Sequence, residues 1–142
     1  VMTTPQIRIV LADDHQLIRE SWRMLLENNP RFKVVADCSN GHDAIRCISE
    51  HSPDILLVDI NMQPLNGFEV IRQVVVNNPA VRIIGMSVNN HPKYATRMVE
   101  MGARGFLTKT SSLSEIHHGI EQVYNGEIYI CDEVRSLMPP PR

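Results

Sequence analysis

The chain has 142 residues, of which 43% are hydrophobic and 21% charged, and its formal net charge is −2. This length suits one domain with its own core, and the composition is ordinary for a globular protein. No apolar run approaches the roughly 18 to 20 residues that a membrane-spanning helix needs, and residues 1–6 lack the basic and apolar segments of a signal peptide. We therefore expect a cytoplasmic protein without membrane contact.

Basic and acidic residues are interspersed along the sequence. Binding to nucleic-acid phosphates needs clustered lysine and arginine, so we expect no direct nucleic-acid binding by this segment. The three cysteines, Cys38, Cys47 and Cys131, lack metal-ligand spacing and are expected to be reduced thiols.

Short apolar runs alternate five times with longer amphipathic stretches. The apolar runs, typical of strands, span residues 7–12, 34–36, 55–58, 81–86 and 105–108. A stretch with helical periodicity follows each run, and its apolar positions are predicted to face inwards. For the five helices in chain order, these positions are Ile18, Trp22, Leu25 and Leu26; Ala44, Ile45 and Ile48; Val70, Ile71, Val74 and Val75; Tyr94, Met98 and Met101; and Leu113, Ile116, Ile120 and Val123. Gly102 and residues 125–126 are predicted to end the last two helices.

Five strand-helix repeats predict a doubly wound α/β fold, with a five-stranded parallel sheet and helices on both faces. The fully apolar run 55–58 suits a central strand that is covered on both sides. At this length the flavodoxin-like strand order 2-1-3-4-5 is favoured. We assign residues 6–126 to this domain and 127–142 to a C-terminal extension or linker, in which an extra turn could precede the proline run 139–141.

Polar side chains follow four of the predicted strands at their carboxyl ends. These are Asp13 and Asp14 after strand one, Asp59 after strand three, Ser87 after strand four and Lys109 after strand five. In open parallel sheets, ligands bind at this edge, where the strand order reverses. Three carboxylates in one cleft need a counter-charge, and Mg²⁺ prefers carboxylate, water and phosphate oxygens as ligands. With a lysine and a hydroxyl, such a site suits phosphoryl transfer.

Each residue also has a plainer interpretation when it is taken alone. Asp14 is an acceptable N-cap for the first helix, and Asp59 could cap a loop. Ser87 by itself means little, and Lys109 by itself is a typical surface lysine. The prediction depends on all five occurring together at strand ends.

Four segments of the sequence resemble the receiver domain of two-component response regulators, and the resemblance covers roughly residues 6–126. They are Val10-Leu11-Ala12-Asp13-Asp14-His15, Val58-Asp59-Ile60-Asn61-Met62, Met86-Ser87 and Phe106-Leu107-Thr108-Lys109. The opening at residues 12–15 and the segment 102–106 resemble the subfamily whose receiver precedes a helix-turn-helix DNA-binding domain.

The resemblance implies that Asp59 accepts a phosphoryl group from the histidine of a sensor kinase. It implies that Asp13 and Asp14 bind Mg²⁺ together with Asp59 and the backbone carbonyl of Asn61. Such a protein is not an enzyme in the usual sense, since it catalyses only its own phosphorylation and slow dephosphorylation.

The resemblance also implies a conformational switch. Ser87 and Lys109 would contact the phosphoryl group, and Phe106 would turn inward when Ser87 is drawn towards it. Plain core packing is an equally good interpretation of Phe106. The switched surface would act on partners, so a homodimer is a further expectation, and an output domain that controls transcription would lie outside this chain.

The sequence departs from the family pattern at three places. Thr110 follows Lys109 where a proline is frequent, Gln63 stands where a proline usually follows the methionine, and Phe106 replaces the commoner tyrosine. Asn61 and Asn89 are expected to flank the path of attacking water and so to affect the lifetime of the acyl phosphate.

Three other classes of protein use related features. A phosphohydrolase of the haloacid dehalogenase class would need a second aspartate two residues after the nucleophile, where this chain has Asn61. A flavin-binding protein would need a phosphate-cradling first loop. A receiver-like interaction module that is not phosphorylated would not need Asp14, Asp59 and Lys109.

Overall fold

The computed structural model describes residues 5–140, in which strands and helices alternate along the chain. The strands are β1 Ile7–Ala12, β2 Phe32–Cys38, β3 Ile55–Asp59, β4 Arg82–Ser87, β5 Gly105–Thr108 and β6 Tyr129–Ile130. The helices are α1 Gln16–Glu27, α2 Gly41–His51, α3 Gly67–Asn77, α4 Pro92–Glu100, α5 Leu113–Tyr124 and α6 Asp132–Arg135. Residues 1–4 of the segment searched for a signal peptide, and the final two residues of the predicted extension, lie outside the described residues.

All six strands pair in parallel in one sheet, with the order β2-β1-β3-β4-β5-β6. The predicted order 2-1-3-4-5 is confirmed, and a sixth strand is added beside β5. Every residue of β3 is buried, as expected for a central strand covered by helices on both faces. Within residues 5–140, no helix has the length and apolarity needed to cross a bilayer.

The helices lie close to their predicted positions because local signals fix their ends. Asn40 and Asn66 cap α2 and α3 by accepting hydrogen bonds from backbone N–H groups of the first turn. Gly102 follows α4 with a φ of 112°, a conformation that favours glycine. The predicted inward faces are wrong at Leu25 and Val75, which are 38% and 37% exposed. Leu25 lies in α1 and Val75 in α3. Each is at the edge of the apolar face of its helix, and the buried part of that face is narrower than the apolar residues in the sequence indicate.

The segment after α5 packs onto the domain. The Tyr129 and Cys131 N–H groups donate to backbone carbonyls of Arg104 and Phe106 at 3.0 Å each. Cys131 and Val134 are fully buried. Part of the predicted extension therefore completes the sheet edge, although the boundary at residue 126 stays a prediction.

Glu115 of α5 holds this segment in place. Its Oε2 accepts hydrogen bonds from the Tyr129 hydroxyl and from the Asp132 N–H, each at 2.8 Å. Burial and the hydrogen bond to Glu115 raise the pKa of Tyr129 to about 12. The Tyr129 ring fits against α5 at Gly119, where an added Cβ would lie 2.9 Å from ring atom Cδ2.

Replacing Glu115 with Ala should lower the free energy of unfolding by about 1 to 3 kcal/mol, because two donors lose their common acceptor. Urea denaturation followed by circular dichroism measures this loss. Glu127→Ala is the matched control, since Glu127 is exposed. Equal stability of the two variants would contradict the structural role of Glu115.

Candidate functional site

The site lies at the carboxyl edge of the sheet, where β1 and β3 are neighbours and the strand order reverses. Asp59 and Ser87 are the last residues of β3 and β4, whereas Asp13 and Lys109 directly follow β1 and β5. Because the strands are parallel, all of these residues reach the same edge. The Lys109 N–H also donates to the Ser87 carbonyl at 2.8 Å, which fixes the end of β5 beside β4.

Lys109 lies between two buried carboxylates. Its Nζ is 2.6 Å from Oδ2 of Asp13 and 3.1 Å from Oδ2 of Asp59. The three side chains are 6%, 0% and 1% exposed. Removing three charged groups from water is costly, so the contact holds only because the ammonium compensates both anions at once.

Two negative charges share one ammonium, so the cluster keeps an excess of negative charge. Burial raises the pKa of the Asp59 carboxyl above its ordinary value, and the nearby Asp13 carboxylate adds to this increase. The Asn61 N–H, which donates to Oδ1 of Asp59 at 3.0 Å, and the Lys109 ammonium lower that pKa in part. Burial is the largest of these effects.

The carboxylates of Asp13 and Asp59 also belong to a group of side chains that could bind a metal ion. Asp13, Asp14, His15 and Asp59 each offer one ligand atom, and these atoms lie within 4.8 Å of one another. Among the described residues, Oδ2 of Asp13 and Oδ2 of Asp59 have no hydrogen-bond partner, although both contact Lys109 as an ion pair. Buried, under-satisfied carboxylate oxygens with excess negative charge fit the hard oxygen ligands of Mg²⁺.

The structure also decides between the two interpretations of Asp14. The N-cap of α1 is His15, and Asp14 lies one residue outside the helix. Asp14 is therefore not the N-cap, and its carboxylate belongs to the acidic group at the sheet edge. His15 was not predicted as a site residue, although it directly follows the two aspartates in sequence.

Asn61 and Asn89 border the site with exposed side chains. The N–H of Asn61 donates to Asp59, and the role predicted for its backbone carbonyl as a metal ligand stays a prediction. The N–H of Asn89 donates to Oγ of Ser87 at 2.9 Å.

Phe106 is fully buried in the structure, with its ring directed inwards. Gly85 in the neighbouring strand leaves room for Met98, because an added Cβ there would collide with Sδ of Met98; the same Cβ would lie 3.4 Å from Cδ2 of Phe106. Helical periodicity predicts Met98 on an inward face, whereas the close approach at Gly85 was not predicted. A glycine in an apolar strand is the signal that indicates such a close approach.

Comparisons with known proteins agree with this fold. The chain matches the response regulator receiver domain family over residues 9–121. It is 35% identical over 129 residues to the transcriptional regulatory protein DegU of Brevibacillus brevis, covering 91% of this chain and 55% of that protein. It is 31% identical over 132 residues to the response regulator UvrY of Escherichia coli K12, covering 93% of this chain and 61% of that protein.

Solved structures of response regulators share this fold. A two-component response regulator of the LuxR family from Aurantimonas superposes with a TM-score of 0.88 at 30% identity, covering 92% of this chain and 94% of that one. The receiver domain of the response regulator NarL from Mycobacterium tuberculosis gives a TM-score of 0.83 at 29% identity, covering 87% and 100%.

A parallel doubly wound sheet with this edge of aspartates and lysine defines a two-component receiver domain. The chain belongs to the response regulator receiver family, and its relatives include a transcriptional regulatory protein, a response regulator and a LuxR-family member. The chain spans 55% and 61% of the two curated relatives described above.

Replacing Asp59 with Asn should stabilise the metal-free protein, because the amide keeps an acceptor for the Asn61 N–H and removes a buried charge. The folded state holds the Asp59 proton more tightly than the unfolded chain, so wild-type stability falls as pH rises from the pKa of unfolded aspartate through the raised folded pKa. We expect a gain of about 1 to 2 kcal/mol at neutral pH and a smaller gain in acid.

Urea denaturation of both proteins at a series of pH values from about 4 to about 8, with a metal chelator present, measures how this gain changes as pH rises above the pKa of unfolded aspartate. Glu100→Gln on the exposed face of α4 is the control for removing one negative charge. A gain that is constant with pH, or equal in the control, would contradict the assignment.

Proposed function

We propose that this receiver domain accepts a phosphoryl group on Asp59 from a phosphohistidine of a sensor kinase, in a reaction that requires Mg²⁺. The observation that carries the proposal is the contact between the buried Asp59 carboxylate and the ammonium of Lys109, beside the carboxylates of Asp13 and Asp14. This arrangement combines a nucleophile, a cation for the phosphoryl oxygens and a site for a metal.

In the proposed reaction, a carboxylate oxygen of Asp59 attacks phosphorus and the bond from phosphorus to the histidine nitrogen breaks. The kinase imidazole leaves with the electron pair and takes up a proton, and Asp59 becomes an acyl phosphate. Mg²⁺, held by Asp13, Asp14, Asp59 and the Asn61 carbonyl, would neutralise charge on the phosphoryl oxygens. Lys109 would contribute the second cation from the opposite side of Asp59.

The product is a modified protein and not a released compound, so the domain is not an enzyme that turns over an external substrate. Water must reach the acyl phosphate for slow hydrolysis. The exposed Asn61 and Asn89 border that route, which supports the expectation that they affect the lifetime of the phosphoryl group.

Phosphorylation would stabilise one arrangement of Ser87 and Phe106. The new phosphoryl group offers acceptors for the Ser87 hydroxyl, which now accepts from the Asn89 N–H and can still donate its own proton. Because Phe106 is already buried beside β4, we infer that phosphorylation favours this inward ring position and depopulates others.

The output would be transcriptional control. The relative DegU is a transcriptional regulatory protein, and the chain covers 55% of its length. We infer that a helix-turn-helix domain outside this chain binds DNA and that this segment does not. We further propose a cytoplasmic protein that signals through a changed surface, with a homodimer as one of its forms.

Incubation with acetyl phosphate should add one phosphoryl group to the wild type when Mg²⁺ is present. Intact-mass spectrometry should show no adduct with chelator or in Asp59→Asn, because the metal or the nucleophile is then missing. Asp132→Asn, at an exposed aspartate, should be labelled like the wild type. A folded wild type without adduct would favour an interaction module, and steady phosphate release would favour a hydrolase.

The switch can be followed at Phe106 because the chain has three phenylalanines, Phe32, Phe68 and Phe106. In protein labelled with fluorophenylalanine, the ¹⁹F signal that Phe106→Leu removes should narrow or shift on phosphorylation, since one ring position is then favoured. Ser87→Ala should suppress this change while Asp59 is still phosphorylated. An unchanged Phe106 signal in the phosphorylated wild type would exclude the proposed switch.

A further inference from the structure

The side chain of His15 contacts the acidic group and does not cap α1. It is the N-cap residue of that helix, but its side chain makes no capping hydrogen bond in the described structure. Its Nδ1 lies 3.1 Å from Oδ1 of Asp13 and 3.2 Å from Oδ1 of Asp14. The imidazole therefore contacts a carboxylate oxygen of each aspartate with the same nitrogen.

These distances match the geometry of a shared metal ion. Two ligand atoms bound to one divalent ion at about 2.1 Å and at a right angle lie about 3.0 Å apart. The separations of Nδ1 from the two aspartate oxygens are close to that value. The four ligand atoms of the group, one each from Asp13, Asp14, His15 and Asp59, all lie within 4.8 Å of one another.

An independent observation supports a ligand at this place. Oδ2 of Asp59 and Oδ2 of Asp13 are buried, and both face the ammonium of Lys109. Their ion-pair contact with Lys109 leaves one cation for two anions. A second positive charge on the side of His15 would balance the cluster.

We propose that His15 is a nitrogen ligand at this metal site and gives it a preference for nitrogen-binding transition ions over Mg²⁺. The inference rests on the metal site of the proposed function and adds a ligand to it. Mg²⁺ takes oxygen ligands and gains little from an imidazole, whereas first-row transition ions bind imidazole well, with Ni²⁺ among the strongest. When such an ion binds, the Nδ1 lone pair coordinates it and the ring carries its proton on Nε2.

The alternative is that His15 only donates a hydrogen bond to Asp13. In that case, replacing the imidazole alters the carboxylates in the same way for every divalent ion, and the affinities for Mg²⁺ and Ni²⁺ change by the same factor. The ratio of the two affinities, more than either value, separates a metal ligand from a hydrogen-bond donor.

Isothermal titration calorimetry with Ni²⁺ alone and with Mg²⁺ alone tests the proposal on the whole chain. His15→Asn should weaken Ni²⁺ binding by about tenfold or more and change Mg²⁺ binding by less than about twofold. His51→Asn, at the far end of α2, is the control for adventitious binding to surface imidazoles and should behave like the wild type. Equal changes for both ions, or no loss of Ni²⁺ affinity, would overturn the proposal.

Electron spin echo measurements on Mn²⁺-loaded protein give a second readout. A nitrogen coupling from a coordinated imidazole should be present in the wild type and in His51→Asn, and absent in His15→Asn. Its absence from the wild type would overturn the proposal directly, since no imidazole then binds the ion.

Failure of the inference and failure of the proposed function give different results. Mg²⁺-dependent phosphorylation of the same wild-type sample, measured by intact mass, tests the function. An adduct with no nitrogen coupling rejects His15 as a ligand and leaves the function standing. A nitrogen coupling with no adduct supports the metal ligand and rejects phosphorylation.

Discussion

The ammonium of Lys109 lies between the carboxylates of Asp13 and Asp59, 2.6 and 3.1 Å away, where almost no water reaches any of the three groups. In such surroundings each charge depends on the others, because an unpaired buried charge would cost several kcal/mol. The contact joins residues at the ends of three strands, and parallel pairing in the order β1-β3-β4-β5 is what brings them to one edge. The excess negative charge of this cluster is the physical reason why the acidic group could bind a metal ion.

The same strand, β5, connects this cluster to the segment of β6 and α6. Lys109 follows β5, and Phe106 lies within it and pairs with Ile130 of β6. Just beyond Lys109, the Thr110 hydroxyl donates to a carboxylate oxygen of Glu133 at 3.4 Å. A few hydrogen bonds therefore link β5 and the residue after Lys109 to the segment that holds β6 and α6.

Much of this arrangement could be predicted from the sequence, because strand periodicity and polar residues at strand ends are local signals. The apolar run 55–58 and the terminal Asp59 identify the central strand without any knowledge of its neighbours. The two-residue strand β6 could not be found in this way, since it is held by tertiary contacts with Glu115 and β5. The ion pairs of Lys109 also depend on distances between segments, which a pattern along the chain does not contain. The direction of the His15 side chain depends on its rotamer, which the residue types alone do not specify.

The position of Lys109 can be measured directly because the chain has three lysines, Lys33, Lys93 and Lys109. In ¹⁵N-lysine NMR spectra assigned by single Lys→Arg variants, the ammonium of Lys109 should exchange slowly with water, whereas exposed Lys33 and Lys93 should exchange fast. Phosphorylation in the presence of Mg²⁺ should shift the Lys109 signal as its partner changes from a carboxylate to a phosphoryl group. Lys109 ammonium protons that exchange as fast as those of the other two lysines would contradict the buried ion pairs of Lys109 with Asp13 and Asp59.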